Sequence, residues 1–215
     1  MEKSTTRNKK FFQIKNYMQV KRILEYFFSL ILLVVLSPVL LTLFIVIKFS
    51  DWKAPVIYRQ VRVGKNETTF VMYKFRTMVP DADQLLGQYL DKNEIEGAMF
   101  KLKKDPRVTR LGRFLRKTSL DELPQLVNVL KGEMALIGPR PPLEREVFNY
   151  SEQEKLRLSI APGCSGLWQV SGRNELNFQE MVELDLYYIE NMNLWLDLRI
   201  IMKTIGVVFL PKGAF

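Results

Sequence analysis

The sequence predicts an α+β chain, mostly helical and in contact with a membrane, on three observations. Tyr26 to Ile47 reads YFFSLILLVVLSPVLLTLFIVI, 22 residues without a charge. Residues 54–78, APVIYRQVRVGKNETTFVMYKFRTM, alternate apolar and polar positions around GKNE, the pattern of a β-hairpin. From Phe178 onward Leu184, Tyr187, Tyr188, Leu194, Trp195, Leu198, Ile201, Ile205 and Val208 recur at helical spacing. Aromatics and Lys203 or Lys212 beside that stripe suit a helix lying on a membrane surface; a helix packed on the domain core fits as well. The division expected is a basic arm over 1–25, a membrane segment over 26–47, and one body over 48–215 with amphipathic helices at its C-terminal end.

The apolar run, as one helix, would be about 33 Å long, enough to cross a hydrocarbon core of about 30 Å. It is too long for a cleaved signal peptide and lacks a small-residue cleavage site. Ser37-Pro38 lies in its middle. Pro38 has no N–H, so the carbonyl of Val34 loses its helical partner, and the Ser37 hydroxyl can return a hydrogen bond. Either a kinked spanning helix or a helix–break–helix that returns to the same face fits this. The flanks favour the second. Residues 1–25 carry seven Lys/Arg (Lys3, Arg7, Lys9, Lys10, Lys15, Lys21, Arg22) against Glu2 and Glu25, a net +5. Residues 48–65 carry Lys48, Lys53, Arg59, Arg62 and Lys65 against Asp51, a net +4. Positive flanks mark the cytoplasmic side, and here both ends are positive.

The remaining elements follow in order. Residues 1–20 show no clear period and read as a mobile or surface-lying arm. Residues 81–97 read as an acidic, soluble helix with a boundary at Gly97, its Asp81 and Asp83 belonging to the helix start. Two short helices are expected at Leu111–Lys117 and about Leu120–Leu130, ending at Gly132. MALIGPRPP reads as a buried strand closing in a rigid Pro-rich turn, residues 143–159 as a charged helix, and APGCSGLWQVSGRN as a Gly-rich loop.

Composition narrows the chemistry. The chain has no histidine and one cysteine, Cys164. Ser-His catalysis, imidazole-bound zinc, an internal disulfide and a cysteine-cluster metal site are thereby excluded. Any metal is expected to be a hard ion held by carboxylates and phosphates, Mg²⁺ first. A formal charge of +9 points to anionic partners. No G-x-x-x-x-G-K-[ST] and no G-x-G-x-x-G occurs, which excludes the common nucleotide folds. A nucleic-acid binder, suggested by charge alone, does not fit the long apolar run.

SLDELPQ, residues 119–125, places Asp121 and Glu122 side by side. One reading is a capping box, with Ser119 as N-cap and Glu122 reaching back. The other is a pair of reacting carboxylates. The pair follows Arg107, Arg110, Arg113, Arg116 and Lys117. Further cations stand in rigid Gly/Pro settings or in the KFRTM run: Arg140 in GPRPP, Arg173 in SGRN, and Lys74 with Arg76. Guanidinium forks held by rigid backbone suit phosphate.

YRQVRVG, YKFRTM, KDPRVTRLGRFLRKTSLDELPQLVNVLKGEMALIGPRP, APGCSGLWQVSGRN and LDLYYIENMNLWLDLRIIMKTIGVV resemble the bacterial sugar transferase family, the monotopic polyprenyl-phosphate phosphoglycosyl transferases. The resemblance runs from about residue 20 to the end and is to the small catalytic-unit form, without the extra N-terminal membrane domain of larger members. Cys164 stands in PGCSG where the family more often has an apolar residue and threonine, and ENMN replaces a more usual Trp-Ser pair. The resemblance implies a cytoplasmic catalytic domain on the inner membrane and a re-entrant break at Ser37-Pro38. It implies Asp121 as nucleophile with Glu122 as partner, both also disposed to bind Mg²⁺. Substrate-binding roles would fall to Lys74, Arg76, Arg107, Arg113, Arg116, Arg140 and Arg173. The partners implied are a UDP-sugar, undecaprenyl phosphate and anionic membrane lipid, but no nucleic acid; a homo-oligomer is left open. UMP would leave and a phosphosugar–aspartyl intermediate would form. The GLWQVSGR run inclines the sugar toward a hexose such as galactose or glucose. A catalytically inactive membrane scaffold of the same pathway is the alternative.

Overall fold

The computed structural model describes residues 2–92, 94, 102, 104–172 and 176–209. Helix α1 spans Glu2–Val35 and α2 spans Ser37–Ser50, and the chain bends by 61° between them. The bend has the cause read from the sequence. Pro38 cannot donate to Val34, and Ser37 Oγ donates to that carbonyl instead at 2.7 Å. Among the described residues no single helix is long and apolar enough to cross a membrane; this bent pair passes that test only together. Its outer surface is apolar and uncovered, with Phe27, Ile31, Val34, Val35 and Leu41 all more than half exposed. A continuous apolar surface of this kind marks a lipid or protein contact.

Residues 1–20, read as a mobile or surface-lying arm without clear period, are helical over 2–20, where they form the first turns of α1. The division drawn between residues 25 and 26 falls inside that helix.

Strands β1 (Ile57–Val63) and β2 (Thr69–Phe75) form the expected antiparallel hairpin, Ile57 opposite Phe75 and Val63 opposite Thr69. Asn66 and Glu67 carry the turn with positive φ. The acidic helix shrinks to α3 (Ala82–Leu85) and a 3₁₀ stretch over Leu86–Lys92; the boundary at Gly97 lies outside the described residues. Helix α4 is Arg110–Lys117, capped by Thr109, whose hydroxyl accepts from Gly112 N. The expected second helix is split by Pro124 into a 3₁₀ turn, Leu120–Glu122, and α5, Gln125–Lys131. Gly132 ends α5 at φ 84°, a left-handed C-cap.

Asn128 in α5 is fully buried and fastens the open edge of β2. Its Oδ1 accepts from Tyr73 N, while Nδ2 donates to the Val71 carbonyl and to Glu133, both at 2.7 Å. Asn128→Asp would set carboxylate oxygens against those two acceptors. We expect it to lower stability by about 2–3 kcal/mol, read as a fall in the thermal unfolding midpoint.

Strand β3 (Ala135–Ile137) appears where MALIG was read as a strand. Its parallel partner β4 (Gly163–Ser165) was not foreseen, because PGCSG carries no alternation. The expected charged helix over 143–159 is three pieces: α6 (Glu144–Val147), α7 (Glu152–Lys155) and a 3₁₀ turn, Leu156–Ser159. Ser151 restarts the helix as N-cap of α7, and Arg157 turns inward to pair with Asp185 at 2.6 Å. The C-terminal helix is also two, α8 (Phe178–Asn191) and α9 (Leu194–Phe209), because Asn193 caps the second by accepting from Leu196 N.

A buried polar network fastens α1 to this body. Lys21 bridges Glu25 and Asp197, each at 2.7 Å, and Glu25 accepts from the N–H groups of Leu136 and Ile137. Tyr17 and Tyr188 donate to the two oxygens of Asp197. Arg22 donates to the carbonyls of Val129 and Leu130 at the end of α5. Two of the seven arm cations thus serve the protein interior.

Candidate active site

The N-terminal side of the site is built where the hairpin, α4 and the 3₁₀ turn meet. Strand alternation puts Tyr58, Gln60 and Arg62 of β1 on the same face as Met72 and Lys74 of β2. That face lines a cleft of about 600 Å³. Asp121, Glu122, Ser119, Arg116 and Arg140 share the cleft, and Cys164 and Trp168 also line it.

Asp121 is buried, 7% exposed, and its carboxyl is pushed up to about 6. Burial is the main cause and the neighbouring Glu122 charge the next; Lys74 and Arg116 act in the opposite sense. Lys74 Nζ pairs with Glu122 Oε1 at 2.7 Å. The capping-box reading of SLDE is corrected. Ser119 has φ 56°, a left-handed conformation, and its side chain makes no capping bond. The acids therefore sit in a tight, strained turn, where a capping role does not hold them.

The cations sort into distinct groups. Lys74, Arg116 and Arg140 line the cleft with the acid pair. Arg116 Nε donates to Thr77 Oγ1 at 3.0 Å, and burial lowers its pKa. Arg140 makes no hydrogen bond or ion pair among the described residues. Arg76 and Arg107 touch the cleft, but structural partners engage their guanidinium groups. Arg76 donates to the carbonyls of Ile47, Asp51 and Pro55, tying the end of α2 to the end of β2. Arg107 forks onto Asp105 and donates to Ala82 O. Arg113 is exposed and does not line the cleft, because α4 turns its Gly112 and Leu115 face inward. Arg173 lies outside the described residues.

Arg62 was missed. It is buried, donates to Pro141 O at 3.0 Å and so braces the Pro139-Arg140-Pro141 turn. Burial, then the nearby Arg140 charge, lower its pKa to about 10. The period-2 pattern that gave the hairpin also places Arg62 on the face of Lys74, so the signal was present. Among the described residues no group of three or more Asp, Glu, Cys or His is arranged to hold a metal ion.

Residues 16–211 match the family model described as bacterial sugar transferase. The galactosyl transferase CpsE of Streptococcus agalactiae is 48% identical over 81% of this chain and 39% of its own length. The undecaprenyl-phosphate galactose phosphotransferase of Salmonella typhimurium is 43% identical over 91% of this chain and 42% of its own. The exopolysaccharide production protein ExoY of Sinorhizobium fredii is 41% identical over 91% of this chain and 88% of its own. The chain thus spans about two-fifths of the length of the first two of these relatives and most of the third. With the match running from inside α1 almost to the C-terminus, and taking in the cleft and its acid pair, the chain belongs to the bacterial sugar transferase family.

Proposed function

We propose that this chain transfers a sugar 1-phosphate, a hexose 1-phosphate such as that of galactose or glucose, from a UDP-sugar to undecaprenyl phosphate, and so initiates polysaccharide or glycoconjugate synthesis. The observation that carries the reading is a buried Asp121 beside a partly exposed Glu122 in a cleft with Lys74, Arg116 and Arg140. The names of the Salmonella and Streptococcus relatives support the substrate class.

In the chemistry proposed, an Asp121 oxygen attacks the sugar-bearing phosphorus. The bond from that phosphorus to the bridging oxygen breaks, and UMP leaves with the electron pair. An oxygen of the lipid phosphate then attacks the same phosphorus, frees the Asp121 carboxylate and yields the lipid-diphosphate-sugar. Lys74 and Arg116 oppose the rise in the Asp121 pKa, which keeps a carboxylate available at neutral pH. Arg140, in its braced turn, is placed to bind phosphate.

The residues present fit Mg²⁺. Two adjacent carboxylates are the sparse, hard-oxygen set that Mg²⁺ takes when substrate phosphates complete its shell, and among the described residues no third acid joins them in a metal-binding group. Asp121 and Glu122 would hold it. When bound, the ion supplies positive charge against the repulsion between an anionic nucleophile and an anionic phosphate.

The bent helix pair is read as re-entrant, with residues on both sides of it at the cytoplasmic face of the inner membrane. Its uncovered apolar surface and Ser37-Pro38 support this, as do Lys48 and Lys53 at the end of α2, suited to anionic lipid headgroups. Leu194, Trp195, Leu198, Met202 and Ile205 are exposed along α9 and suit the same lipid surface. Cysteines introduced at Lys10 and Lys65 should label from the same side of intact cells; labelling from opposite sides would mean a spanning segment. Ser37→Ala with Pro38→Leu should straighten the pair and move position 10 to the other side.

The decisive experiment is a panel of UDP-sugars given to the membrane-embedded protein with undecaprenyl phosphate and Mg²⁺. UMP release that requires the lipid for multiple turnovers is expected with at least one hexose donor. No UMP release with any donor would favour an inactive scaffold.

A further inference from the structure

Ser119 stands in the left-handed region at φ 56°, ψ 17°. Glycine adopts that conformation without cost and asparagine tolerates it, whereas serine is disfavoured there. The backbone of Ser119 is already committed: its N–H donates to Arg116 O at 3.2 Å, and its carbonyl accepts from Glu122 N at 3.3 Å. Its hydroxyl makes no hydrogen bond among the described residues and does not cap the turn that follows. The residue lines the cleft beside Asp121, Lys74 and Arg116 and is half-buried. The turn would form more easily with glycine, so the side chain has to account for serine at this position.

We propose that the Ser119 hydroxyl is a catalytic hydrogen-bond donor to the phosphoryl group in transit, binding a non-bridging oxygen of the sugar-bearing phosphate while Asp121 attacks it. This rests on the transferase reading above. In the step, a bond forms between Asp121 and phosphorus, the bond to the bridging oxygen breaks, and its electron pair leaves on UMP. Ser119 keeps its proton throughout. A neutral donor suits this place. The cleft already carries Lys74, Arg116 and Arg140, and a hydroxyl can follow the oxygens as the phosphorus changes geometry without adding charge beside the nucleophile. It lies two residues before the nucleophile, in a turn that the Glu122 N–H closes onto the Ser119 carbonyl.

The test compares Ser119→Gly with Ser119→Ala in the membrane-embedded protein. S119G removes the hydroxyl and relieves the backbone; S119A removes the hydroxyl and keeps the strain. S119G should raise the thermal unfolding midpoint by roughly 2–4 °C. Both variants should release UMP about 10- to 100-fold more slowly, the range of one hydrogen bond to a charged group. The affinity for UMP itself, measured by equilibrium binding, should not change, because UMP lacks the transferred phosphate. Turnover by S119G at the wild-type rate would show that the position serves only backbone geometry and would overturn the proposal. A matching loss of UMP affinity would overturn it too, by placing the hydroxyl on the nucleotide. Wild-type protein that releases no UMP from any UDP-sugar would fail the transferase reading instead, and would do so before either variant is made.

Discussion

Asp121→Asn is expected to reduce turnover by roughly 10⁴-fold or more, the scale seen when a covalent nucleophile is removed. The fold should not suffer. Asp121 is almost buried, and its raised pKa reports that the cleft disfavours the charged form. Asparagine has the same shape without that charge, so the thermal midpoint should hold or rise slightly. Ser119 does not cap this turn, so no capping box is lost with the carboxylate. A purely structural role for Asp121 makes the opposite forecast: a loss of up to about 1 kcal/mol in stability and near-normal turnover. Trapping separates the two further. Wild-type protein given labelled UDP-sugar without lipid acceptor should retain a labelled phosphosugar, and D121N should not. Wild-type protein that turns over yet never carries label under rapid quench would favour direct transfer between the two substrates.

The largest effect on the fold should come from Gly112→Ala. A Cβ built on Gly112 would lie 1.9 Å from the Thr77 carbonyl oxygen, inside backbone that cannot step aside. Helix α4 is held against this strand end by Thr109 N, which donates to the same carbonyl at 3.0 Å. Separating the two would also carry Arg116 away from Thr77 Oγ1. We expect a loss of about 3 kcal/mol or more, a fall of roughly 6–12 °C in unfolding midpoint, with turnover falling as Arg116 leaves the cleft. Gly206 is the control. A Cβ there meets nothing within 4 Å, and the residue is exposed within α9. Gly206→Ala should stabilise by about 0.5–1 kcal/mol through helix propensity alone. If both substitutions behaved alike, close packing of α4 on the strand end would be refuted.

What the sequence disclosed was chiefly local. The hairpin followed from alternation, the end of α5 from Gly132, and the hydrogen bond of Ser37 from the missing N–H of Pro38. Asp121, Glu122, Lys74, Arg116 and Arg140 were all named from sequence and share one cleft. The failures were of two kinds. Some came from local rules overruled by packing: SLDE has the spelling of a capping box, but the turn is forced left-handed at Ser119, and no pattern within seven residues discloses that. Others came from distance. The β3–β4 pairing joins residues far apart in sequence and depends on Gly163 passing so close to Gly138 that a side chain would clash, which periodicity cannot express. Arg76 and Arg107 had the look of phosphate ligands because an arginine beside a turn reads the same whether it meets a substrate or a carbonyl. Only the carbonyls of Ile47, Asp51 and Pro55 show which use Arg76 has. The boundary between α8 and α9 was readable in Asn193 and was passed over because the apolar stripe continues across it.

The salt bridge between Lys21 and Asp197 joins residues 176 positions apart. On the ribosome, the helix that carries Lys21 is made long before the helix that carries Asp197. Through that interval Glu25, on the same helix, is the acidic partner Lys21 has, and α1 stands without the contacts that α9 brings. Quality control in the cell would therefore meet this chain as an unfinished fold until α9 docks. A truncation just before Leu194 would leave the active-site cleft largely encoded, yet deliver a chain whose first helix has lost its latch.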